Sequence, residues 1–140
     1  LVLSRGPLCF GSLVVAAAAF AQEPPAAKPA DLVTTRKGTL PVILSAPHGG
    51  TLDVPGVPPR KGEGLPVGSA GFFTGRDGGT EELADAIAAA IETETGQKPY
   101  LVAARFHRRF IDANRPPEIA YESPAAKPVY DHYRGTVAEY

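Results

Sequence analysis

Apolar and polar positions along the chain predict two buried strands with a helix between them. Leu40–Ala46 is a short, continuous apolar run, which predicts a strand buried on both faces. A second run of this kind covers Tyr100–Ala104. Between the two runs, apolar residues recur at helical spacing from Leu83 to Ile91, and Gly96 ends the pattern. The order strand, helix, strand predicts a right-handed βαβ unit with parallel strands, and hence an α/β fold.

Two further features complete the predicted domain. Thr80 is predicted to cap the first helix, and a long Gly- and Pro-rich loop, Thr51–Gly79, precedes it. A last helix is predicted to begin at Pro128. Its apolar stripe comprises Val129, Tyr130, Tyr133, Val137 and Tyr140. Because this stripe runs to the last residue without a stop signal, we expect the domain to be truncated at the C-terminus.

The pattern of the first residues indicates a targeting segment rather than part of the fold. Within residues 1–21, the single charge of Arg5 precedes the apolar stretch Leu8–Ala21, which ends in small residues. This pattern is typical of a secretory signal peptide, and the stretch is too short for the roughly 20 residues of a membrane-spanning helix. We therefore expect an exported protein, periplasmic or secreted, without a stable membrane span. Residues 22–31 form a Pro/Ala linker, and residues 32–140 form the folded part.

Composition and charge narrow the function classes. The 140 residues carry 14 Lys and Arg against 15 Asp and Glu, so no strongly basic surface is available for nucleic acid. Cys9 is the only cysteine and lies inside the predicted signal peptide. Disulfide frameworks and multi-cysteine zinc sites are therefore excluded, and any metal must be held by His and carboxylates.

Polar residues follow both predicted strands, where ligands bind in parallel sheets. His48 follows the first strand directly, and Gly49-Gly50 beside it permits close backbone geometry. The segment Arg105–Arg115 follows the second strand. We expect the two segments to converge at one edge of the sheet. From the residues alone, His48 is as compatible with a hydrogen-bonded structural role as with that of a ligand.

Two groups of side chains near this edge are candidates for binding a metal ion or an anion. A carboxylate turned toward His48 would supply an oxygen ligand for a divalent ion, and both Asp77 and Glu82 are candidates that spacing does not separate. Asn114 and Arg115 are suited to capture of a carboxylate, although a surface ion-pair cluster is the alternative. The residues therefore predict an anion pocket next to a possible metal site.

Three segments together resemble the N-formylglutamate amidohydrolase family. They are Ser45–Gly50 (SAPHGG), Asp77–Ala84 (DGGTEELA) and Arg108–Pro117 (RRFIDANRPP), and their order and spacing are more specific than any one of them. The family is related to zinc carboxypeptidases and aspartoacylases. The resemblance implies a three-layer α/β/α fold with a mostly parallel sheet of the zinc carboxypeptidase (phosphorylase/hydrolase-like) type.

The resemblance also implies a site and a reaction. His48 would bind one zinc ion together with Asp77 or Glu82, while Asn114 and Arg115 hold a substrate carboxylate and Arg108 lines the same pocket. Zinc would polarise an amide carbonyl and acidify a water, which gives hydrolysis of a C–N bond in a small-molecule or short-peptide substrate.

This sequence departs from the family in two ways. Family members are longer and carry a further His in an Asp-x-His-Gly context, so we expect residues 32–140 to be the N-terminal part of the domain, with the general base beyond Tyr140 and no activity alone. Export also points away from formylglutamate itself and toward substrates such as cell-wall peptides, cleaved by a carboxypeptidase or amidase. The alternative, from another functional class, is an exported module that binds anions and catalyses no reaction.

Overall fold

A computed structural model describes residues 28–65 and 72–140 of the chain. They form a small α/β fold with a three-stranded mixed sheet and three helices. The strands are β1 (Val33–Arg36), β2 (Leu40–Ala46) and β3 (Pro99–Ala104), and the helices are α1 (Thr80–Thr95), α2 (Pro117–Ala120) and α3 (Lys127–Glu139). The predicted signal peptide, residues 22–27 of the linker and residues 66–71 of the long loop lie outside the described residues.

The sheet has the order β1-β3-β2, with β3 at its centre. β2 and β3 pair in parallel, which confirms the predicted βαβ unit. β1 pairs with β3 in the antiparallel sense, so the described sheet is mixed rather than mostly parallel. β1 was not predicted, because its four residues, VTTR, lack an apolar run or a clear alternation. The last linker residues, Pro29–Asp31, form a single 3-10 turn directly before it.

The prediction that β2 is buried on both faces is wrong. Val42 and Ile43 are 40% and 38% exposed, whereas the side chains of β3 from Leu101 to Ala104 are fully buried. The reason is position, because β2 lies at the edge of the sheet that the described residues form, while β3 is flanked by a strand on each side. Along β2 only its last residue, Ala46, is buried.

Alternate residues of β3 contact helices on opposite faces of the sheet. Leu101 and Ala103 pack in one apolar cluster with Ala84 of α1. Val102 and Ala104 pack in the other cluster with Tyr133 and its neighbours on α3. The predicted stripe of α3 is confirmed, since Val129, Tyr130 and Tyr133 are buried and Val137 and Tyr140 pack against the cluster.

α1 follows its predicted bounds but buries less than its pattern suggests. Gly79 occupies the N-cap position instead of Thr80, and Gly96 ends the helix in the left-handed conformation with its N–H on the Glu92 carbonyl. Ala84 is buried, but Leu83 is 58% exposed. The part of the chain that the structure describes contains no helix both long and apolar enough to cross a membrane.

Candidate functional site

The two polar segments meet at the carboxyl ends of β2 and β3. His48, directly beyond β2, and Asp112, beyond β3, are joined by a contact of 2.7 Å between Nε2 and Oδ1. The two residues are 64 positions apart in sequence. The prediction that His48 converges with the Arg105–Arg115 segment is therefore confirmed.

Two glycines allow this approach. A Cβ on Gly50 would lie 2.2 Å from the carbonyl carbon of Arg105, so only glycine fits between the two segments. Just beyond it, Leu52 donates its N–H to the Arg105 carbonyl and accepts from the N–H of His107, each at 2.8 Å. Gly49 likewise packs against the start of α1, where a Cβ would lie 2.6 Å from Thr80 Oγ1. His48 is thus held between β3 and α1 by its own backbone neighbours.

Asp112 is the most deeply buried charged group of the site, with 1% of its side chain exposed. Besides His48 Nε2, it accepts Arg108 Nε at 2.9 Å and the backbone N–H of Asn114 at 3.1 Å. Burial alone would raise the pKa of the Asp112 carboxyl, but the hydrogen bonds and charges of His48 and Arg108 outweigh it and lower the pKa to about 2. Asp112 is therefore an ionised acceptor at neutral pH.

The second ring nitrogen of His48 faces Asp77. Nδ1 lies 3.1 Å from Asp77 Oδ2, and the Asp77 N–H donates to the His48 carbonyl at 3.0 Å. A carboxylate accepts hydrogen bonds and does not donate them, so both His48 contacts are hydrogen bonds only when each ring nitrogen carries a proton. About half of the Asp77 side chain is exposed, whereas only 10% of the His48 side chain is.

Glu82, the other acidic candidate, lies elsewhere. It is exposed in the first turn of α1. Among the described residues that line the cavity beside His48, Asp77 contributes a carboxylate and Glu82 does not. The geometry therefore favours Asp77 as the acidic partner of His48.

Arg108 links the two carboxylates of the site. Its Nε and Nη2 contact Asp112 Oδ2 at 2.9 and 2.8 Å, and its Nη1 lies 3.7 Å from Asp77 Oδ1. The guanidinium is buried and lies over the ring of Phe73, 5.5 Å from its centroid. Arg108 was predicted to line the substrate pocket, and in the structure its donors are directed at protein carboxylates.

Arg115 and Asn114 border the same cluster from the outside. Arg115 Nε lies 3.9 Å from Asp112 Oδ2, and a third of the Arg115 side chain is exposed. Asn114 is exposed and approaches Asp112 with its backbone N–H rather than its side chain. The structure therefore brings Arg115 to the site and leaves the side-chain amide of Asn114 at the surface.

Arg60, for which the sequence predicts no role, holds the backbone of two segments that border the site. Arg60 is 5% exposed, and its Nη2 donates to the carbonyls of Phe73 and Arg108 at 2.8 and 2.7 Å. Its Nε has no hydrogen-bond partner among the described residues, and burial lowers the pKa of the guanidinium. No local signal could have revealed these contacts, because Arg60 lies within the Gly- and Pro-rich loop.

A cavity of about 250 Å³ opens beside His48, between β2 and α1. His48, Asp77, Thr80 and Ser45 contribute polar groups to it. The rest of its lining comes from Leu44, Ala46, Pro47, Leu83, Ala84 and Ile87. The candidate ligands therefore line a concave, largely apolar site, as is common for small-molecule sites.

His48 and Asp77 fit part of a zinc site. An imidazole nitrogen and a carboxylate are both preferred zinc donors, and two donors on one tetrahedral zinc lie roughly 3.3 Å apart. The observed 3.1 Å between His48 Nδ1 and Asp77 Oδ2 is close to that separation. Catalytic zinc sites use three protein donors, and no group of three or more His, Cys, Asp or Glu arranged to hold a metal occurs within residues 28–65 and 72–140.

Comparisons of the chain with models of protein families, with curated proteins and with solved structures give no match.

Proposed function

We propose that the chain carries part of a zinc-dependent hydrolase that cleaves C–N amide bonds in carboxylate-bearing substrates, similar to N-formylglutamate amidohydrolases. The observation that carries this proposal is the setting of His48. Its Nε2 is held by the buried Asp112, while its Nδ1 faces the half-exposed Asp77. Zinc-binding histidines commonly have this arrangement, with one nitrogen on a carboxylate and the other directed to the metal.

Each residue of the cluster has a role in this proposal. Zinc, when bound, supplies polarisation of the amide carbonyl and an acidified water. His48 and Asp77 would hold it, and Asp112 fixes the ring orientation and the tautomer of His48. Arg108 positions the two carboxylates by contacting both. Arg115, at the exposed side of the cluster, would bind the substrate carboxylate.

The proposal extends to the fold. Helices on both faces of the sheet and a parallel β2–β3 pair support the three-layer α/β/α architecture of zinc carboxypeptidases, with β1 as an antiparallel edge strand. Export, as expected from residues 1–21, is a further part of the proposal.

Zinc titration of the metal-free protein tests the ligand assignment. We expect one zinc per chain, and at least tenfold weaker binding in His48→Ala and in Asp77→Ala. Glu82→Ala is the matched control, because it removes a nearby carboxylate that the geometry places outside the site. Unchanged zinc affinity in His48→Ala, or a loss in Glu82→Ala equal to that in Asp77→Ala, contradicts the assignment. Hydrolysis of N-acyl amino acids then tests the activity, and it is measured on the zinc-loaded full-length protein because the general base is expected beyond Tyr140.

A second candidate function is carboxylate binding without catalysis. It is favoured by Arg115, which lies at the edge of the cluster with a third of its side chain exposed. In that case the metal-free protein would bind carboxylates, and zinc would change neither their affinity nor their chemical fate.

A further inference from the structure

Arg60 is a buried cation whose guanidinium contacts backbone carbonyls rather than carboxylates. It donates to the carbonyls of Phe73 at 2.8 Å, Arg108 at 2.7 Å and Ile119 at 3.2 Å. Within residues 28–65 and 72–140, no carboxylate forms an ion pair with it. A buried charge without an ion-pair partner is costly unless hydrogen bonds compensate it, so these three contacts are what hold the guanidinium in place. The planar guanidinium reaches several carbonyls at once, whereas lysine offers a single nitrogen.

The three carbonyls belong to three different segments around the site. Arg108 lies in the loop after β3, Ile119 lies in α2, and Phe73 begins the segment that leads to Asp77. A single nitrogen of Arg60, Nη2, donates to both the Phe73 and the Arg108 carbonyls. Arg60 therefore fixes the backbone of Phe73 against the backbone of Arg108.

The segment from Phe73 to Asp77 is anchored at its two ends. At its end, Asp77 donates its N–H to the His48 carbonyl at 3.0 Å, and Arg76 Nη1 donates to the Gly49 carbonyl at 3.2 Å. At its start, the Phe73 side chain is more than half exposed, so burial does little to fix it. The Arg60 contact with the Phe73 carbonyl is thus the main hydrogen bond at the start of this segment.

Arg60 is itself held by its backbone neighbours. Its own N–H donates to the Arg109 carbonyl at 2.8 Å. The next two N–H groups, of Lys61 and Gly62, donate to the carboxylate of Glu122 at 2.9 and 2.6 Å. A side chain that starts from a backbone fixed in this way can hold the Phe73 carbonyl at a defined position.

We infer that Arg60 is a positioning residue that places Asp77 at His48. By fixing Phe73, it sets the path of the segment that brings the Asp77 carboxylate to 3.1 Å from His48 Nδ1. Its consequence for zinc rests on the proposed function, in which Asp77 is a zinc ligand. Loss of the Arg60 side chain should therefore weaken zinc binding, although Arg60 forms no hydrogen bond with His48 or Asp77.

Amide hydrogen exchange of the metal-free protein, followed by NMR, tests this role without any need for activity. In Arg60→Ala, we expect the Asp77 N–H to exchange about tenfold faster than in the wild type, because the segment that carries it loses its anchor. The His107 N–H, which donates to the Leu52 carbonyl at 2.8 Å, should keep its protection. A local effect at Asp77 is thereby separated from general loss of structure.

Two controls sharpen the comparison. Arg109→Ala removes a neighbouring guanidinium that is 44% exposed and paired with Asp53, so it should leave the exchange of the Asp77 N–H unchanged. Millimolar guanidinium ion should fill the space left in Arg60→Ala and restore the protection of Asp77. Because guanidinium weakens folded proteins in general, such a rescue cannot come from a gain in overall stability.

Zinc titration of the same variants connects the positioning role to the site. We expect zinc binding to weaken about tenfold in Arg60→Ala, as is typical when a residue that orients metal ligands is removed, and to recover with guanidinium. Arg60→Lys keeps the charge but lacks the planar fork, so it should resemble Arg60→Ala in both zinc affinity and exchange of the Asp77 N–H.

The outcomes separate this role from the proposed function. Unchanged exchange at Asp77 in Arg60→Ala, an equal loss of protection at His107, or a loss that guanidinium does not restore overturns the positioning role. If Arg60→Ala does not fold, Arg60→Lys decides, since wild-type exchange at Asp77 in that variant also overturns it. Faster exchange at Asp77 with unchanged zinc affinity, or with no zinc bound by the wild type, supports the role of Arg60 and contradicts the proposed function.

Discussion

Asp112 accepts a hydrogen bond from Nε2 of His48 at 2.7 Å, with 1% of the aspartate and 10% of the histidine side chain exposed. The contact joins the loops that leave two parallel strands, β2 and β3, so it fixes the mutual position of both loops. Because Asp112 also holds the guanidinium of Arg108, one buried carboxylate orients both His48 and Arg108. Structure and proposed chemistry therefore depend on the same residue.

Asp112→Asn should lower the free energy of unfolding by about 3 kcal/mol at neutral pH. Asparagine keeps the shape and one carbonyl acceptor, but its amide group would be directed at either His48 or Arg108 and cannot accept from it. One buried donor then loses its partner, and Arg108 loses its buried counter-ion and keeps only Asp77, 3.7 Å from its Nη1. Urea unfolding followed by circular dichroism measures the change.

Asp53→Asn is the control for that variant. Asp53 pairs with Arg109 at 2.7 Å, but its side chain is 71% exposed, so we expect a change below about 1 kcal/mol. Equal effects of the two substitutions would contradict the special role of the buried carboxylate.

Acid should destabilise the protein through Asp112. The pKa of this carboxyl is about 2 in the folded chain against an ordinary value of 3.8, so its contribution is fully present above about pH 4 and is lost as pH falls through 2. The shift corresponds to about 2 kcal/mol. Unfolding free energies of the wild type and Asp112→Asn, measured from pH 6 to pH 2, should converge by about this amount. Parallel pH profiles would contradict the assignment.

Much of the fold follows from local pattern. The bounds of β2, α1, β3 and α3 were predictable because each element carries continuous or periodic apolar residues and α1 ends at Gly96. The meeting of His48 with the segment after β3 was predictable as well, since parallel strands bring their carboxyl ends to one edge. These inferences need only strand direction and helical period.

The burial of each strand and the contacts between side chains were harder to predict from the sequence. Leu40–Ala46 has the composition of a central strand, yet it is an edge strand of the sheet within residues 28–65 and 72–140, because strand order depends on contacts far apart in sequence. Spacing alone could not separate Asp77 from Glu82, since both flank the start of α1 and the choice depends on which one the loop turns toward His48. Asp112 lies within the Arg108–Pro117 segment that carries the family resemblance. Its hydrogen bond with His48 was not predicted, because it depends on how the loops after β2 and β3 meet in the folded chain.

Tyr133 should make the protein sensitive to alkali. Burial raises the pKa of its hydroxyl to about 12. The hydrogen bond with the Ser45 side chain, 2.8 Å away, lowers the pKa and offsets only part of this rise. The folded pKa lies above the ordinary value of 10, so the contribution is fully present below pH 10 and is lost as pH rises through 12. About 2–3 kcal/mol should disappear over this interval.

Tyr133→Phe provides the comparison for the alkaline profile. The variant lacks the hydroxyl, so its unfolding free energy should depend less on pH between 10 and 12, although losing the contact with Ser45 costs about 1 kcal/mol at neutral pH. If the unfolding free energies of the two proteins depend equally on pH between 10 and 12, Tyr133 does not titrate as its burial requires.

Gly50→Ala should move the loop after β2, which carries His48, away from the loop after β3, which carries Asp112. A Cβ at Gly50 would lie 2.2 Å from the carbonyl carbon of Arg105 and 2.4 Å from the carbonyl oxygen of Phe106, and backbone atoms cannot rotate away as a side chain can. We expect a loss of about 1–3 kcal/mol in unfolding free energy and disappearance of the downfield imidazole N–H signal of His48 in proton NMR. Gly75→Ala is the control, because nothing lies within 4 Å of a Cβ there and removal of backbone freedom should leave stability unchanged or slightly higher. A Gly50→Ala protein that keeps both its stability and the His48 signal would mean that the β2 and β3 loops tolerate a wider separation than the geometry of the site indicates.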